Sequence, residues 1–224
     1  MRFTVLTLFP DMLRDALSHS VVGRGLRNEA FNVELVDIRN FSNNKHRKVD
    51  DYPYGGGPGM VMQAPPVLCA YKQVAAGLAH PRTLITSPRG RVFNQTYARE
   101  LTHERDIVII CGHYEGVDER VMDIINPEAV SIGDFILTGG EIVALSIIDA
   151  TARLLPGVLG NDNSGIDESF SLNLLEYPQY TRPPLVEGLP VPEVLLSGNH
   201  GEIEKWRQSK SLELTLKNRP DLLR

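Results

Sequence analysis

The stretch "DIVIICGHYEGVDE" (106–119) decides the fold class of this chain. After its first acid it runs through five apolar residues, a pattern typical of a β-strand buried on both faces. A helical pattern follows from about Val117 to Ile125. A buried strand joined by a short loop to a helix predicts an α/β architecture with a mainly parallel sheet.

The same alternation continues on both sides of this stretch. Pro10, Pro65 and Asn94 stand where the first turn or the cap of a helix is expected. The predicted strands are 2–9, 31–38, 82–87 and 129–132, and the predicted helices are 10–17, 65–76, 94–103 and 140–155. Residues 39–63 form a polar, glycine-rich loop, and a loop of that length inside a compact domain is usually functional.

Size and cysteine content limit the class of protein. The chain has 224 residues, of which 42% are hydrophobic, enough for one large domain or for one domain with a small second one. Cys69 and Cys111 form no CxxC pair, which argues for a reducing compartment and against a disulfide framework or a zinc site. The apolar run "FTVLTLF" (3–9) is too short for a membrane span and lacks a signal-peptide cleavage site. These features predict a cytoplasmic protein.

The net charge of −5 is unevenly distributed. Residues 199–224 hold six cations against four acids, and "KHRK" (45–48) forms a second basic cluster. Basic clusters on an acidic chain are candidate contacts for a polyanion, and an ordinary solvated surface is the alternative.

The character of the chain changes after Leu155. The segment from there to Pro192 is rich in proline and typical of irregular structure. A helical pattern returns over 201–217, with a break near Ser209 and an end at Pro220. We therefore predict a first domain (1–160), a flexible linker (161–175) and a small, mostly helical C-terminal domain (176–224).

Three glycine-bearing loops follow predicted strands: "SPRGR" (87–91), "GHYEGVDE" (112–119) and "GDFILTGGE" (133–141). Ligands of parallel α/β sheets bind beyond the carboxyl ends of the strands, so these loops are the expected site. The chain has no Walker loop and no GxGxxG, HExxH or GxSxG motif. The remaining possibilities are a ligand held largely by backbone groups and a set of ordinary turn glycines.

Six segments, in order, resemble the bacterial tRNA (guanine-N1)-methyltransferase family, TrmD, of the SPOUT superfamily. They are "VDDYPYGGGPGM" (49–60), "CGHYEGVDERV" (111–121), "SIGDFILTGGE" (131–141), "PGVLG" (156–160), "YTRP" (180–183) and "VLLSGNH" (194–200). The resemblance implies a SPOUT-type sheet with a trefoil knot and an obligate homodimer with composite active sites. It also implies methyl transfer from S-adenosyl-L-methionine to N1 of the guanosine at position 37 of tRNA, next to the anticodon.

By the same resemblance, the cofactor lies among the three loops. The implied cofactor-binding residues are Ser87, Pro88, Gly90, Gly112, Tyr114, Glu115, Gly116, Ile132, Gly133, Asp134, Phe135, Ile136, Leu137, Gly139 and Gly140. Phe135 stands where the family often has Tyr, and it keeps the aromatic face. The family also suggests assistance by Mg²⁺, for which no ligand residues are assigned.

Methylation of N1 requires removal of the N1–H proton and stabilisation of the charge that spreads onto the guanine oxygen. A carboxylate and an arginine suit these two tasks. The resemblance places the arginine at Arg153, for which a cation at a helix end is the alternative. The family usually has Asp directly before Ser-Phe, where this chain has Glu168, preceded by Asp167. Glu168 is the favoured general base and Asp167 is the alternative.

The glycine-rich stretch "DDYPYGGGPGM" (50–60) is implied to lie beside the active site, with "KHRK" available to tRNA phosphates. A rigid turn without substrate contact is the alternative. Two other functional classes stay open. One is a non-catalytic RNA-binding module that kept the fold, and the other is a nucleotide-dependent dehydrogenase or kinase, which the missing phosphate motifs disfavour.

Overall fold

A computed structural model describes residues 1–160 and 168–223. The chain divides into two compact units, residues 1–160 and 161–224. The N-terminal unit contains the strands β1 (Arg2–Thr7), β2 (Asn32–Asp37), β3 (Asp50–Asp51), β4 (Val61–Met62), β5 (Arg82–Val92), β6 (Asp106–Ile110) and β7 (Glu128–Ser131).

Five of these strands form one sheet in the order β2-β1-β6-β5-β7. Every neighbouring pair in it is parallel. The predicted α/β architecture with a mainly parallel sheet is therefore confirmed. The carboxyl ends of the strands meet at one edge of the sheet, which is where the glycine-bearing loops begin.

Helices cover both faces of the sheet. They are α1 (Pro10–Leu17), α2 (Ser20–Arg27), α3 (Ala64–Ala75), α4 (Gln95–Leu101), α5 (Arg120–Ile125) and α6 (Glu141–Ala152). Successive strand residues point to opposite faces, so β6 contributes Ile107 and Ile109 to one buried cluster and Val108 and Ile110 to the other. This double burial explains why β6 reads as an unbroken apolar run.

Strand β5 is longer than the predicted strand 82–87, because it continues to Val92. Thr86 and Arg91 both lie opposite Val130 of β7, so residues 87–90 loop out of the ladder as a bulge. A Cβ atom built on Gly90 would lie 2.3 Å from the backbone nitrogen of Val130. The glycine therefore permits the close approach of two main chains that the bulge requires.

Two features of the N-terminal unit were not predicted. The first is α2, which contains Gly23 and Gly25 in a pattern that disfavours a helix. A Cβ atom on Gly25 would lie 2.9 Å from the ring of Phe31, so tertiary packing selects glycine there. The second is the antiparallel pair β3–β4, which turns the glycine-rich part of the predicted 39–63 loop into a hairpin.

The C-terminal unit contains the hairpin β8 (Leu185–Val186) and β9 (Leu189–Pro190), followed by the helices α7 (Glu193–Leu196) and α8 (His200–Asn218). The predicted break near Ser209 is wrong, because α8 is continuous over its 19 residues. Ser209 is exposed, and a single solvated serine costs a helix little. Asn199 caps the helix by accepting a hydrogen bond from the Glu202 amide at 3.3 Å.

The second part of the predicted linker is folded against α8. The amide of Leu175 donates to the Thr215 hydroxyl at 2.8 Å, and the Phe170 amide donates to the Leu174 carbonyl at 2.8 Å. The first part, residues 161–167, lies outside the described residues. Flexibility of the whole linker stays a prediction.

Candidate active site

A cavity of about 700 Å³ opens at the carboxyl edge of the parallel sheet. Its walls are the β5 bulge, the loop after β6 and the loop between β7 and α6. The lining residues include 85–89, 112–117, 130–133 and 135–140. The three loops expected to form the site therefore enclose one space.

All the residues implied to bind the cofactor line this cavity except Gly90 and Asp134. Gly90 instead faces the main chain of β7, where it permits the close approach of the two strands. Phe135 and Ile136 line the cavity and are 53% and 80% exposed. Binding of a cofactor by these residues stays a prediction.

The hydroxyl of Thr86 joins the three walls. It accepts a hydrogen bond from the Gly112 amide at 2.9 Å, and the Gly112 carbonyl accepts one from the Gly140 amide at 2.8 Å. A Cβ atom on Gly140 would lie 1.8 Å from Thr86 Oγ1. Gly140 is therefore required by contacts within the protein, and its replacement by valine is not expected to leave the fold intact.

Behind the cavity lies a buried polar cluster that the sequence did not reveal. The Thr7 hydroxyl donates to Glu141 Oε1 at 2.8 Å, and His113 Nδ1 lies 3.9 Å from Glu141 Oε2. The His113 ring packs against Phe9 and Tyr114, with centroid distances of 5.1 and 4.8 Å. The sequence does show an acid, Glu141, at the start of an apolar helix. An acid in the first turn of a helix is usually solvated, so its burial could not be predicted.

The thiol next to this cluster is unreactive. Cys111 is fully buried, and burial raises the pKa of its thiol, with a further contribution from the Glu141 carboxylate. A protonated, inaccessible thiol is a poor nucleophile. Covalent catalysis by Cys111 is therefore disfavoured.

The loop after β6 carries two ion pairs. Arg89 of the bulge binds Glu119 of the next loop at 2.9 Å, with both side chains more than half exposed. Arg120 binds Asp118, and the pKa of that carboxyl is lowered mainly by this hydrogen bond. The interior of the cavity presents chiefly backbone groups and apolar side chains.

The base of the glycine-rich hairpin is attached to the cavity. The Glu115 amide donates to the Met60 carbonyl at 3.0 Å, and the Met62 amide donates to the Gly116 carbonyl at 2.9 Å. Val61 lines the cavity. The tip is solvated, since Tyr54 is fully exposed. The stretch 50–60 thus lies at the cavity, while its role toward a substrate stays a prediction.

The basic cluster 45–48 is partly engaged within the protein. Arg47 binds Asp37 at 3.1 Å, and Lys48 lies 3.7 Å from Asp51. Lys45 and His46 are exposed. Exposed pairs of this kind are weak, so they leave these cations available to a stronger anionic partner.

The residues implied in catalysis belong to different units. Arg153 follows α6 directly in the N-terminal unit, and its amide donates to the Asp149 carbonyl at 3.1 Å. Glu168 belongs to the C-terminal unit, where it lines a small cavity of about 100 Å³ with Tyr177 and Arg207. Asp167 lies outside the described residues. The catalytic pairing stays a prediction.

The part of the chain that the structure describes contains neither a cluster of metal ligands nor a membrane-spanning helix. Within 1–160 and 168–223, no three His, Cys, Asp or Glu side chains are grouped to hold a metal ion. Over the same residues, no helix has the length and apolar character needed to cross a bilayer.

The fold and the cavity define an α/β protein with a cavity at the carboxyl edge of a parallel sheet, lined by three glycine-bearing loops. The model of the family described as tRNA (Guanine-1)-methyltransferase TrmD matches residues 1–224. The chain therefore belongs to the TrmD family of tRNA methyltransferases, as the six segments predicted.

Individual relatives agree with this membership. The tRNA (guanine-N(1)-)-methyltransferase of Caldanaerobacter subterraneus subsp. tengcongensis is 55% identical over 224 residues, which cover 100% of this chain and 92% of the relative. The enzyme of the same name from Lachnospira eligens is 53% identical, covering 99% of this chain and 94% of the relative. The one from Moorella thermoacetica is 53% identical, covering 100% and 90%.

Proposed function

We propose that this protein transfers a methyl group from S-adenosyl-L-methionine to N1 of the guanosine at position 37 of tRNA, in the cytoplasm. The observation that carries the proposal is the family match over residues 1–224, supported by relatives of that name with more than half of their residues identical. The cavity at the sheet edge supplies a site for the donor.

The cavity suits the donor in size and in chemistry. Its volume of about 700 Å³ falls in the range typical of small-molecule sites. Apolar side chains such as Ile132 and Leu137 offer faces for an adenine ring. The amides of Gly112 and Gly140 already donate within the protein, so the carbonyl oxygens of these loops, each with a second lone pair, are the backbone groups that can accept from its edge. Bound there, S-adenosyl-L-methionine would supply an electrophilic methyl group and leave as a neutral thioether.

The catalytic residues act on the guanine. The Glu168 carboxylate accepts the N1 proton as N1 forms its bond to the methyl group, and Asp167 is the alternative base. The Arg153 guanidinium donates hydrogen bonds to the guanine oxygen, where negative charge gathers. One proton leaves the base and one methyl group arrives, so no redox partner is needed. Mg²⁺ assistance belongs to the proposal without assigned ligands.

A second copy of the chain completes the site in this proposal, and the sheet carries the SPOUT trefoil knot. Exposed apolar side chains near the cavity support an interface: Phe9 is 41%, Ile136 80% and Ile142 45% exposed. Phe9 touches the cavity residue His113, and Ile142 stands in the first turn of α6. Burial of such a surface is a common reason for symmetric dimers.

The C-terminal unit contacts the tRNA in this proposal. Along α8, Lys205 binds Glu202 at 2.9 Å and Lys210 binds Glu213 at 2.5 Å. Both pairs are solvent-accessible, so phosphates can replace the carboxylates at little cost. Arg207 of the same helix lies 4.8 Å from the centre of the Tyr177 ring, so this cation is held against an aromatic side chain within the unit.

Calorimetry with three ligands tests the donor directly. We expect binding of S-adenosyl-L-methionine and no binding of NAD or ATP. Transfer of a labelled methyl group to unmodified tRNA then separates an enzyme from an RNA-binding module. Preferential binding of NAD or ATP, or tRNA binding without transfer, would contradict the proposal.

A further inference from the structure

Glu141 is a buried carboxylate with no cationic side chain of Lys or Arg bonded to it among the described residues. It is 3% exposed and is the first residue of α6. One oxygen accepts a hydrogen bond from the Thr7 hydroxyl at 2.8 Å, and Thr7 in turn accepts one from the Phe9 amide at 2.9 Å. These two hydrogen bonds hold the carboxylate in one position.

This carboxylate lies directly behind the cavity wall. A Cβ atom built on Gly139 would lie 2.4 Å from Glu141 Oε2 and 2.4 Å from His113 Nδ1. Gly139 and His113 both line the cavity. Only residues of the wall itself therefore separate the Glu141 charge from a bound ligand.

The imidazole beside Glu141 does not share a proton with it in this structure. His113 Nδ1 is 3.9 Å from Oε2, beyond hydrogen-bond reach, and this buried nitrogen has no hydrogen-bond partner. Thr7, and not His113, therefore holds the Glu141 carboxylate by a hydrogen bond.

The opposing field comes from the start of α6. Gly139 and Gly140 line the cavity at the beginning of this 12-residue helix, and no side chain caps its first amides. A helix start carries a partial positive charge, which disfavours a cation nearby. The methyl donor of the proposed function is a sulfonium cation, whereas its product is a neutral thioether.

We propose that Glu141 is a specificity-determining residue that offsets the positive start of α6, so that the cavity favours the cationic donor over its neutral product. The inference rests on the proposed function. It assigns to Glu141 a role in product release, because a product that lacks the positive charge gains nothing from the carboxylate. Glu141 acts through the wall and does not touch the reacting atoms.

Calorimetry with S-adenosyl-L-methionine and S-adenosylhomocysteine tests this role. The quantity is the ratio of the product dissociation constant to the donor dissociation constant. Glu141→Gln keeps the size and the hydrogen bond from Thr7 while removing the charge. We expect the ratio to fall at least about fivefold, because one charge at short range in a protein interior is worth more than that.

Asp106→Asn is the matched control. Asp106 is also a buried acid of the N-terminal unit, 7% exposed, but it pairs with Arg2 at the amino end of β6. Its neutralisation should leave the ratio within about twofold of the wild-type value, since charge effects weaken with distance. An equal fall in both variants would overturn the proposal, because it would indicate a general loss of packing.

An unchanged ratio in folded Glu141→Gln would also overturn it. Should this variant fail to fold, the wild-type ratio at about 0.05 M and about 0.5 M salt decides, because a buried charge is screened little. A ratio that stays constant supports the role of Glu141. A ratio that falls toward one at high salt assigns the preference for the donor to the exposed acids Glu115 and Glu119. Wild-type protein that binds neither compound would instead overturn the proposed donor.

Discussion

At the scale of single residues, one hydroxyl holds the cavity walls together. Thr86 is 6% exposed, accepts the Gly112 amide at 2.9 Å and lies 3.4 Å from the Ile110 carbonyl oxygen. Its position at the end of the regular part of β5 lets it reach the neighbouring strand. The shape of the cavity therefore depends on one buried hydroxyl, at the point where the bulge interrupts β5.

Replacement of Thr86 by valine should destabilise the protein. The change leaves the part-buried Gly112 amide without its acceptor, and the loss of an acceptor typically costs about 1–3 kcal/mol. Urea denaturation should show a loss of that size for Thr86→Val and a smaller loss for Thr86→Ser, which keeps the hydroxyl. Equal losses in the two variants would remove the hydrogen bond from the explanation.

Substitution of each of two neighbouring acids tests which of them is the general base. Glu168→Gln should lower turnover about a hundred- to ten-thousand-fold, the usual contribution of general-base catalysis, and leave donor binding unchanged. Asp167→Asn should cost far less, and Glu168→Asp should stay active. Single-turnover methylation measures all three, and a dead Asp167→Asn beside an active Glu168→Gln would assign the base to Asp167.

The residues of the cavity were predictable only in part. Glycine-bearing loops after parallel strands must meet at one edge, so Gly112, Gly133 and Gly140 could be placed together from the sequence. Thr7 and Glu141 could not, because 134 positions separate them and only the packing of α6 on β1 makes them neighbours. Buried polar pairs of this kind leave no periodic signal.

At the scale of helices and strands, a charged network fastens α4 to the sheet at the edge opposite the cavity. Arg82 at the start of β5 makes two hydrogen bonds of 2.9 Å to Glu128 at the start of β7. The Tyr97 hydroxyl of α4 donates to the same carboxylate at 2.7 Å, and Arg91 lies 4.3 Å over its ring. The network ties three elements together without entering the proposed site.

This network makes the free energy of unfolding decrease at high pH. Burial, followed by the hydrogen bond to Glu128, raises the pKa of Tyr97 from 10.0 to about 12. The unfolded chain loses this proton first, so the stabilisation is complete below about pH 10 and disappears as the pH rises through about 12. Tyr97→Phe should lose less unfolding free energy than the wild type over that interval. Chemical denaturation at each pH measures this free energy. An equal decline in the wild type and in Tyr97→Phe would contradict the assignment of the effect to Tyr97.

Most of the elements follow from local pattern, and the exceptions have tertiary causes. Asn94 caps α4 as expected, its side chain accepting the Tyr97 amide at 2.9 Å. The bulge in β5 escaped prediction because Pro88-Arg89-Gly90 has the composition of a turn, while pairing with β7 resumes at Arg91. The continuity of α8 was not predicted, because Ser209 interrupts the helical pattern in the sequence while its exposed side chain leaves the helix intact.

At the scale of the whole molecule, the proposed dimer can be tested by complementation. Arg153 and Glu168 belong to different units, and in the proposed dimer each composite site would take one of them from each chain. Mixing Arg153→Ala with Glu168→Gln would then create mixed dimers with one intact site, about a quarter of all sites in an equal mixture. Each variant alone should be inactive. Mixed dimers that form without recovering activity would contradict the composite site.

Family membership at this scale came from ordered segments and not from composition. The net charge of −5 did not decide whether the protein binds a polyanion, because the chain also carries local basic clusters. Only the structure shows which of these cations pair with acids. The match over residues 1–224 supports the interpretation of all six segments together. The donor, the dimer and the catalytic residues remain proposals that chemistry must test.

The most direct test of the central claim is the position of the methyl group on the product. Unmodified tRNA with guanosine at position 37 is incubated with the protein and S-adenosyl-L-methionine. Chromatography with mass spectrometry then identifies the methylated nucleoside in a full digest and its position in an oligonucleotide digest. We predict 1-methylguanosine at position 37, and no methylation of a tRNA with adenosine at that position. A methyl group on another atom or at another nucleoside would contradict the proposed function.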